Sequence, residues 1–132
     1  MKVRCTRYAF ALWVALAGSA AIACGYCVED RIAAVYDHAL LQRTLARKHQ
    51  VAFFAWDGPV TRSEAARQKM LALGEATPGI DKGSTRVSME PAALAVAFDP
   101  KRSNLQSVQA ALQKTLAPMK LSVTLLQTPM AP

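Results

Sequence analysis

The first long hydrophobic pattern in this chain has the 3.6-residue period of an α-helix and runs from about residue 27 to residue 48. Its apolar positions form one broad stripe, made of Val28, Ile32, Val35, Tyr36, Ala39, Leu40, Leu41 and Leu45. Acidic residues fill the first turn and basic residues fill the last, which is the order that the helix dipole favours. The pattern predicts a single amphipathic helix over about 27–48.

Four later segments have the composition of β-strands. Residues 49–56 and 93–98 are apolar at both odd and even positions, which is typical of strands that are buried on both faces. Residues 85–89 and 121–125 alternate between polar and apolar side chains, which indicates edge strands with one face in water. From Gln127 onward we expect a loose tail.

Two further helices separate these strands. Thr61 and Glu64 have the spacing of a capping box, and they open a helix that we expect to stop near Gly74. Ser103 and Gln106 repeat this spacing and predict a second helix before the last strand.

Counted from His49, the order is strand, helix, strand, strand, helix, strand, which is the split βαβ or ferredoxin-like arrangement. The predicted fold is therefore α+β, with a ferredoxin-like βαββαβ sandwich over about 49–127 preceded by the amphipathic helix over about 27–48. The first and third strands lie at the centre of such a sheet, and these are the two segments that are apolar on both faces. In this fold two helices cover one face of the sheet and leave the other face exposed. An exposed apolar face is unfavourable for a monomer, and the extra helix can pack closely on it over Ala95 and Ala97. A homodimer through that face is the alternative.

Residues 1–23 have the three parts of a secretory signal. Three basic residues come first, an apolar run over residues 8–17 follows, and Ala21 and Ala23 then occupy the A-x-A places. We therefore expect cleavage after Ala23, export to the periplasm, and a single mature domain over 24–132. The alternative, an uncleaved membrane anchor, needs about 20 apolar residues, and the run here is shorter.

The same cleavage point lies directly before a cysteine. Enzymes that process lipoproteins cut before a cysteine that follows small residues, and Ala23-Cys24 partly fits this pattern. Leu is usual three positions before that cysteine, whereas Ala21 stands here. A lipid on Cys24 would anchor the protein to a membrane and would remove that thiol from any other chemistry.

The charge of the chain argues against one class of partner. The chain has 132 residues, with 16 Lys and Arg against nine Asp and Glu, and a formal net charge of +7. Three of the basic residues lie in the predicted leader, so the formal charge of the mature chain is +4. The basic residues are dispersed, with no cluster longer than Arg47-Lys48-His49, so we expect no nucleic-acid partner.

The thiols are the candidate chemistry of this chain. Cys5 lies in the leader, which leaves Cys24 and Cys27 in the mature protein. Cysteines three positions apart at a helix start can direct their sulfurs to one site, and the helix start is expected to lower the thiol pKa. Thiolates bind soft ions such as Cu(I), for which two ligands suffice, whereas zinc needs four. His38 lies about 16 Å along the predicted helix, so a zinc site would need two chains to share an ion.

The second half of the chain has a recognisable series of features: the turn Pro78-Gly79-Ile80, the strand over 85–90, the strand end 95–100 with its Phe-Asp-Pro, and the helix over 103–112. In these features the chain, from about 77 to 127, resembles the second half of a heavy-metal-associated domain. Domains of that family bind soft ions, chiefly Cu(I), through two cysteines in C-x-x-C. The resemblance therefore implies a ferredoxin-like fold and a metal ion as the ligand.

The position of the cysteines departs from the family pattern. In the family the C-x-x-C lies in the loop between the first strand and the first helix, and the matching loop here, over 57–61, holds no cysteine. The C-x-x-C stands instead before the extra helix. Another register would make 24–48 the family's own loop and helix and would treat 62–74 as an insertion. We favour the first register because it leaves no strand missing.

Two other interpretations of Cys24-Gly25-Tyr26-Cys27 stay open. The motif also resembles the redox motif of thioredoxin-like periplasmic disulfide isomerases, although that fold needs a strand before the motif. The pair can equally form a structural disulfide in a non-catalytic binding module. The chain has no phosphate-binding loop and no zinc-protease motif that would indicate another enzyme. The sequence predicts a non-enzymatic, exported protein that binds a metal ion, Cu(I), through Cys24 and Cys27, with a protein partner or a second copy as a further partner.

Overall fold

The computed structural model describes residues 26–130. The predicted leader over residues 1–23, its cleavage point and Cys24 lie outside this part of the chain. The described elements are α1 (Val28–Val35), α2 (His38–Ala46), β1 (Gln50–Asp57), α3 (Glu64–Ala76), β2 (Arg86–Ser88), β3 (Ala93–Phe98), α4 (Leu105–Leu116), a 3₁₀ turn (Ala117–Met119) and β4 (Ser122–Met130). None of these helices is long and apolar enough to cross a membrane.

The four strands form one sheet in the order β2-β3-β1-β4, and every neighbouring pair is antiparallel. Chain order and strand order together give the ferredoxin-like βαββαβ arrangement, so the predicted α+β fold is confirmed. β1 and β3 are the central strands, as their apolar pattern predicted, and every residue of β3 is buried.

The larger core lies between one face of the sheet and the helices α3 and α4. Its buried side chains come from alternate positions of the central strands and from one stripe of each helix. They include Phe54, Trp56, Leu94, Val96, Phe98, Met70, Val108, Leu112 and Leu116.

The helices α1 and α2 cover the opposite face of the sheet. Here the buried side chains are Val51 and Phe53 of β1, Ala93, Ala95 and Ala97 of β3, and Val35 and Leu41 of the helices. Ala95 and Ala97 are each 1% exposed, since their small side chains leave room for a helix above them. The structure thus covers this face with the extra helical segment of the same chain, as the sequence predicted.

The prediction of one continuous helix over 27–48 is wrong, because the chain forms two helices with a break at Tyr36 and Asp37. Both residues have extended backbones, and the Asp37 carboxylate accepts a hydrogen bond of 2.9 Å from the Leu40 backbone N–H at the start of α2. Arg86 of β2 fixes the break, since its Nε and Nη2 both donate to the other carboxylate oxygen, Asp37 Oδ2, at 3.0 and 2.9 Å. The Leu40 N–H and the Arg86 guanidinium hold the pKa of Asp37 below its usual range.

The starts of α3 and α4 lie slightly later than predicted. Ser63 caps α3 and Asn104 caps α4, and each side chain accepts a hydrogen bond from the backbone N–H three residues further on, at 3.2 and 2.8 Å. Thr61 and Ser103 are therefore not the caps. In both cases a second capping residue follows within two positions, and it is the one that reaches the free N–H groups of the first turn.

Two element ends also differ from the prediction. α3 continues past Gly74 to Ala76, and a Cβ at Gly74 would lie 2.6 Å from the Thr85 Cγ2, so glycine here permits a close contact rather than a helix end. β4 continues to Met130, so residues 127–130 of the expected loose tail belong instead to a strand that pairs with β1 through an irregular register, and the last two residues lie outside the described part of the chain.

The covered second face makes a testable prediction about stability. Ala95→Leu places three extra carbon atoms under α1, so we expect it to lower the free energy of unfolding by about 1–3 kcal/mol. Ala33→Leu, on the exposed side of α1, is the matched control and should change it by less than about 0.5 kcal/mol. Urea unfolding measures both. Equal stability of the two variants would mean that no helix lies on this face.

Candidate metal site

The start of α1 lies at the end of the sheet where β2 turns into β3. The Arg31 Nη1 donates a hydrogen bond of 2.8 Å to the Ala92 carbonyl oxygen, just before β3 begins. One turn earlier, the Tyr26 hydroxyl donates to the Glu90 Oε1 at 3.1 Å. These two contacts place Cys27, which lies between Tyr26 and Arg31, at this end of the sheet.

The loop between β1 and α3 reaches the same end. Arg62 of that loop lies 3.3 Å from the Glu90 Oε2 through its Nε, and its Nη1 donates to the Met89 carbonyl oxygen. The guanidinium also lies over the Trp56 ring, 5.5 Å from its centroid, in a cation–π contact. Trp56 is buried at the end of β1, and its Nε1 donates to the Ser88 carbonyl oxygen at 3.0 Å. The loop, the β2–β3 turn and the start of α1 are therefore joined by side-chain contacts.

Cys27 is the N-cap residue of α1, and its side chain is exposed. Its backbone N–H donates to the Asp30 Oδ2 at 3.4 Å, and its sulfur faces the backbone N–H of Asp30 in return. This reciprocal arrangement is the capping box, here with a cysteine in the place that serine or threonine usually takes. The other predicted ligand, Cys24, lies outside the described residues.

The electrostatic surroundings of Cys27 correct one expectation from the sequence. The Asp30 backbone N–H lowers the pKa of the Cys27 thiol, as a helix start should. The Asp30 carboxylate, desolvation and the Glu29 carboxylate together outweigh it, so the pKa of Cys27 is raised above its ordinary value. The helix start lowers this pKa as expected, but the net shift is upward. The same acidic first turn that suits the helix dipole places two negative charges beside the sulfur.

The two histidines lie away from Cys27. His38 is exposed at the start of α2, where its Nδ1 lies 3.4 Å from the Tyr36 hydroxyl. His49 precedes β1 and lies between two carboxylates, with Nδ1 at 2.6 Å from the Asp81 Oδ2 and Nε2 at 3.8 Å from the Asp99 Oδ2.

The cluster of His49, Asp81 and Asp99 was missed by the sequence interpretation. The register of β1 against β3 explains part of this cluster, because Gln50 pairs with Phe98. His49 precedes Gln50 and Asp99 follows Phe98, so this pairing brings His49 and Asp99 together. Within residues 26–130 no group of three His, Cys, Asp or Glu side chains is arranged to hold a metal ion. In this cluster the imidazole lies between the carboxylates, so the donor atoms face one another instead of a shared ion.

The described part of the chain is thus a ferredoxin-like α+β domain with a helical pair on its second sheet face and an exposed thiol at one end of the sheet. No family model matches the chain, and no curated protein matches it.

The chain is similar to several solved structures, among them the following two. One is oxidized MerP from Ralstonia metallidurans CH34, with 19% identity over 60% of this chain and 99% of that one and a TM-score of 0.47. The other is a copper binding domain from HMA7, a P-type ATPase, with 14% identity over 59% of this chain and 95% of that one and a TM-score of 0.47.

The charges around Cys27 predict how its thiol titrates. In a chain with Cys5→Ser and Cys24→Ser, which leaves Cys27 as the one thiol, Asp30→Asn removes a carboxylate that faces the sulfur. We expect the pKa of Cys27 to fall and its alkylation by iodoacetamide near neutral pH to become faster. The pH dependence of the alkylation rate measures the shift.

Asp99→Asn in the same background is the control for this titration. It removes an equal charge at the opposite end of β3 and should leave the alkylation profile unchanged. An Asp30→Asn profile that coincides with that of Asp99→Asn would show that the Asp30 carboxylate does not act on the thiol.

Proposed function

We propose that this protein is an exported binding protein for a soft metal ion, Cu(I), which Cys24 and Cys27 hold as thiolates. The observation that carries the proposal is the exposed Cys27 thiol at the start of α1, three positions after Cys24 in the sequence. Hydrogen bonds from Tyr26 and Arg31 hold this helix start at the end of the sheet. The proposed role is binding, with no catalytic step, and the proposed compartment is the periplasm.

The donor chemistry supports a soft ion. Thiolate sulfur is the ligand that Cu(I) prefers, and two thiolates suffice for its near-linear coordination. The neighbouring carboxylates raise the pKa of Cys27 above its ordinary value, and a thiol loses its proton when it binds an ion as a thiolate. Binding by this pair should therefore strengthen as the pH rises.

The same electrostatics favour binding over thiol–disulfide exchange. The thiolate is the attacking species in exchange, and reactive cysteines lie in surroundings that lower the thiol pKa. Cys27 has two carboxylates, from Glu29 and Asp30, that raise it. A bound cation would be attracted by these two carboxylates, which lie beside the sulfur.

The proposal predicts a Cu(I) complex that depends on both cysteines. The reduced protein should bind about one Cu(I) per chain in competition with a chromogenic chelator, and its affinity should rise with pH because protons leave the thiols. The variant with Cys24→Ser and Cys27→Ser should lose this binding. In a chain that keeps residues 1–23, Cys5→Ser is the matched control and should bind like the parent, since the proposal gives Cys5 no role.

Two outcomes would contradict the proposed function. One is Cu(I) binding that survives loss of both cysteines, which would place the ligands elsewhere. The other is turnover in insulin reduction that depends on Cys24 and Cys27, which would make the protein a thiol–disulfide enzyme.

The mass of the exported protein tests the state of the two sulfurs. We expect a chain that begins at Cys24, carries no lipid and keeps both thiols, so that intact mass spectrometry gives the sum of residues 24–132. A mass two hydrogens lower under native conditions would indicate a disulfide, and a mass increase of an acyl group would indicate a lipid anchor. Either result would remove the thiolate pair on which the proposal depends.

A further inference from the structure

Tyr26 lies inside the C-G-Y-C motif, directly before the N-cap residue of α1. Its ring is 37% exposed, yet its hydroxyl reaches across to the β2–β3 turn and donates to the Glu90 Oε1 at 3.1 Å. Tyr26 and Glu90 are 64 positions apart in the chain, so this contact joins the motif to a distant part of the fold.

Glu90 is itself held in place. Its other oxygen lies 3.3 Å from the Arg62 Nε, and the Arg62 guanidinium lies over the Trp56 ring while it also donates to the Met89 carbonyl oxygen. Trp56 is 3% exposed and belongs to the larger core. The Tyr26 hydroxyl is therefore the outer end of a series of contacts whose inner end is fixed in the core.

We propose that Tyr26 is a positioning residue for the metal site, and that its hydrogen bond to Glu90 holds the backbone before Cys27 against the end of the sheet, in the position from which Cys27 binds the ion. This inference rests on the proposed metal-binding function. Tyr26 does not touch the ion; it acts through the backbone that carries Cys27. A segment that is already ordered loses less conformational entropy when the ion binds, so the contact contributes to affinity.

A second tyrosine provides a matched comparison. Tyr36 lies at the other end of α1, is 45% exposed, and its hydroxyl is 3.4 Å from the His38 Nδ1. Both residues of this pair follow α1, whereas the partner of Tyr26, Glu90, lies between β2 and β3. Tyr36→Phe therefore removes an equivalent tyrosine hydroxyl but keeps the hydrogen bond between Tyr26 and Glu90.

The metal measurement is a double-mutant cycle on the full protein. We expect Tyr26→Phe and Glu90→Ala each to weaken Cu(I) binding roughly threefold, which is the scale of one exposed hydrogen bond. The double variant should be no weaker than either single one, because both remove the same contact. Tyr36→Phe should bind like the parent, and unchanged circular dichroism should show that all four proteins fold.

The outcomes separate this inference from the proposed function. If Tyr26→Phe binds Cu(I) as tightly as Tyr36→Phe, or if the effects of Tyr26→Phe and Glu90→Ala add, the positioning role is wrong while metal binding stands. If the parent shows no binding that depends on Cys24 and Cys27, the proposed function and the positioning role both fall, and the contact between Tyr26 and Glu90 is then purely structural.

Discussion

The burial of the second sheet face under α1 and α2 is the interaction on which the rest of this structure depends. Both central strands are apolar on both faces, and a ferredoxin-like domain with only α3 and α4 would leave one of those faces in water. Val35 and Leu41 fill that face, and Ala95 and Ala97 allow the helices to approach it. This packing fixes the position of α1, and α1 in turn fixes the position of Cys27.

Much of this architecture could be predicted from sequence because burial leaves a direct signal in the hydrophobic pattern. Strands that are apolar on both faces had to be central, and small residues on one of those faces indicated a close helix. The break at Tyr36 and Asp37 had no such signal. The helical period continues through these residues, and the charge that stabilises the break comes from Arg86, 49 positions away in the chain.

The helix ends show a second limit of local patterns. Each predicted capping box was followed by another residue able to cap, and only the path of the loop decides which side chain reaches the free N–H groups. The prediction that α3 stops near Gly74 failed for a related reason. Glycine marks many helix ends, but here it lies within α3 because Thr85 packs against the helix at that point.

The properties of the candidate site also divide into those that the local sequence determines and those that the folded chain determines. That Cys27 begins a helix and faces solvent could be predicted, because these properties follow from its own neighbours in sequence. The direction of its pKa could not, because Asp30 acts twice: its backbone N–H lowers the pKa and its carboxylate raises it. The contacts of Tyr26 with Glu90, and of Glu90 with Arg62, join three separate segments and are visible only once the chain is folded.

The topology also explains why Cys27, at the start of an extra helix, lies at the same end of the sheet as the loop that follows β1. In a βαββαβ sheet, the loop that follows the first strand and the turn between the second and third strands lie at the same end. α1 begins at that turn, through Arg31 and Tyr26, while the loop after β1 reaches it through Arg62. The heavy-metal-associated pattern that this sequence resembles carries its cysteines in that loop. Placing the motif before α1 therefore changes the element that carries Cys27 but keeps the thiol at the same end of the sheet.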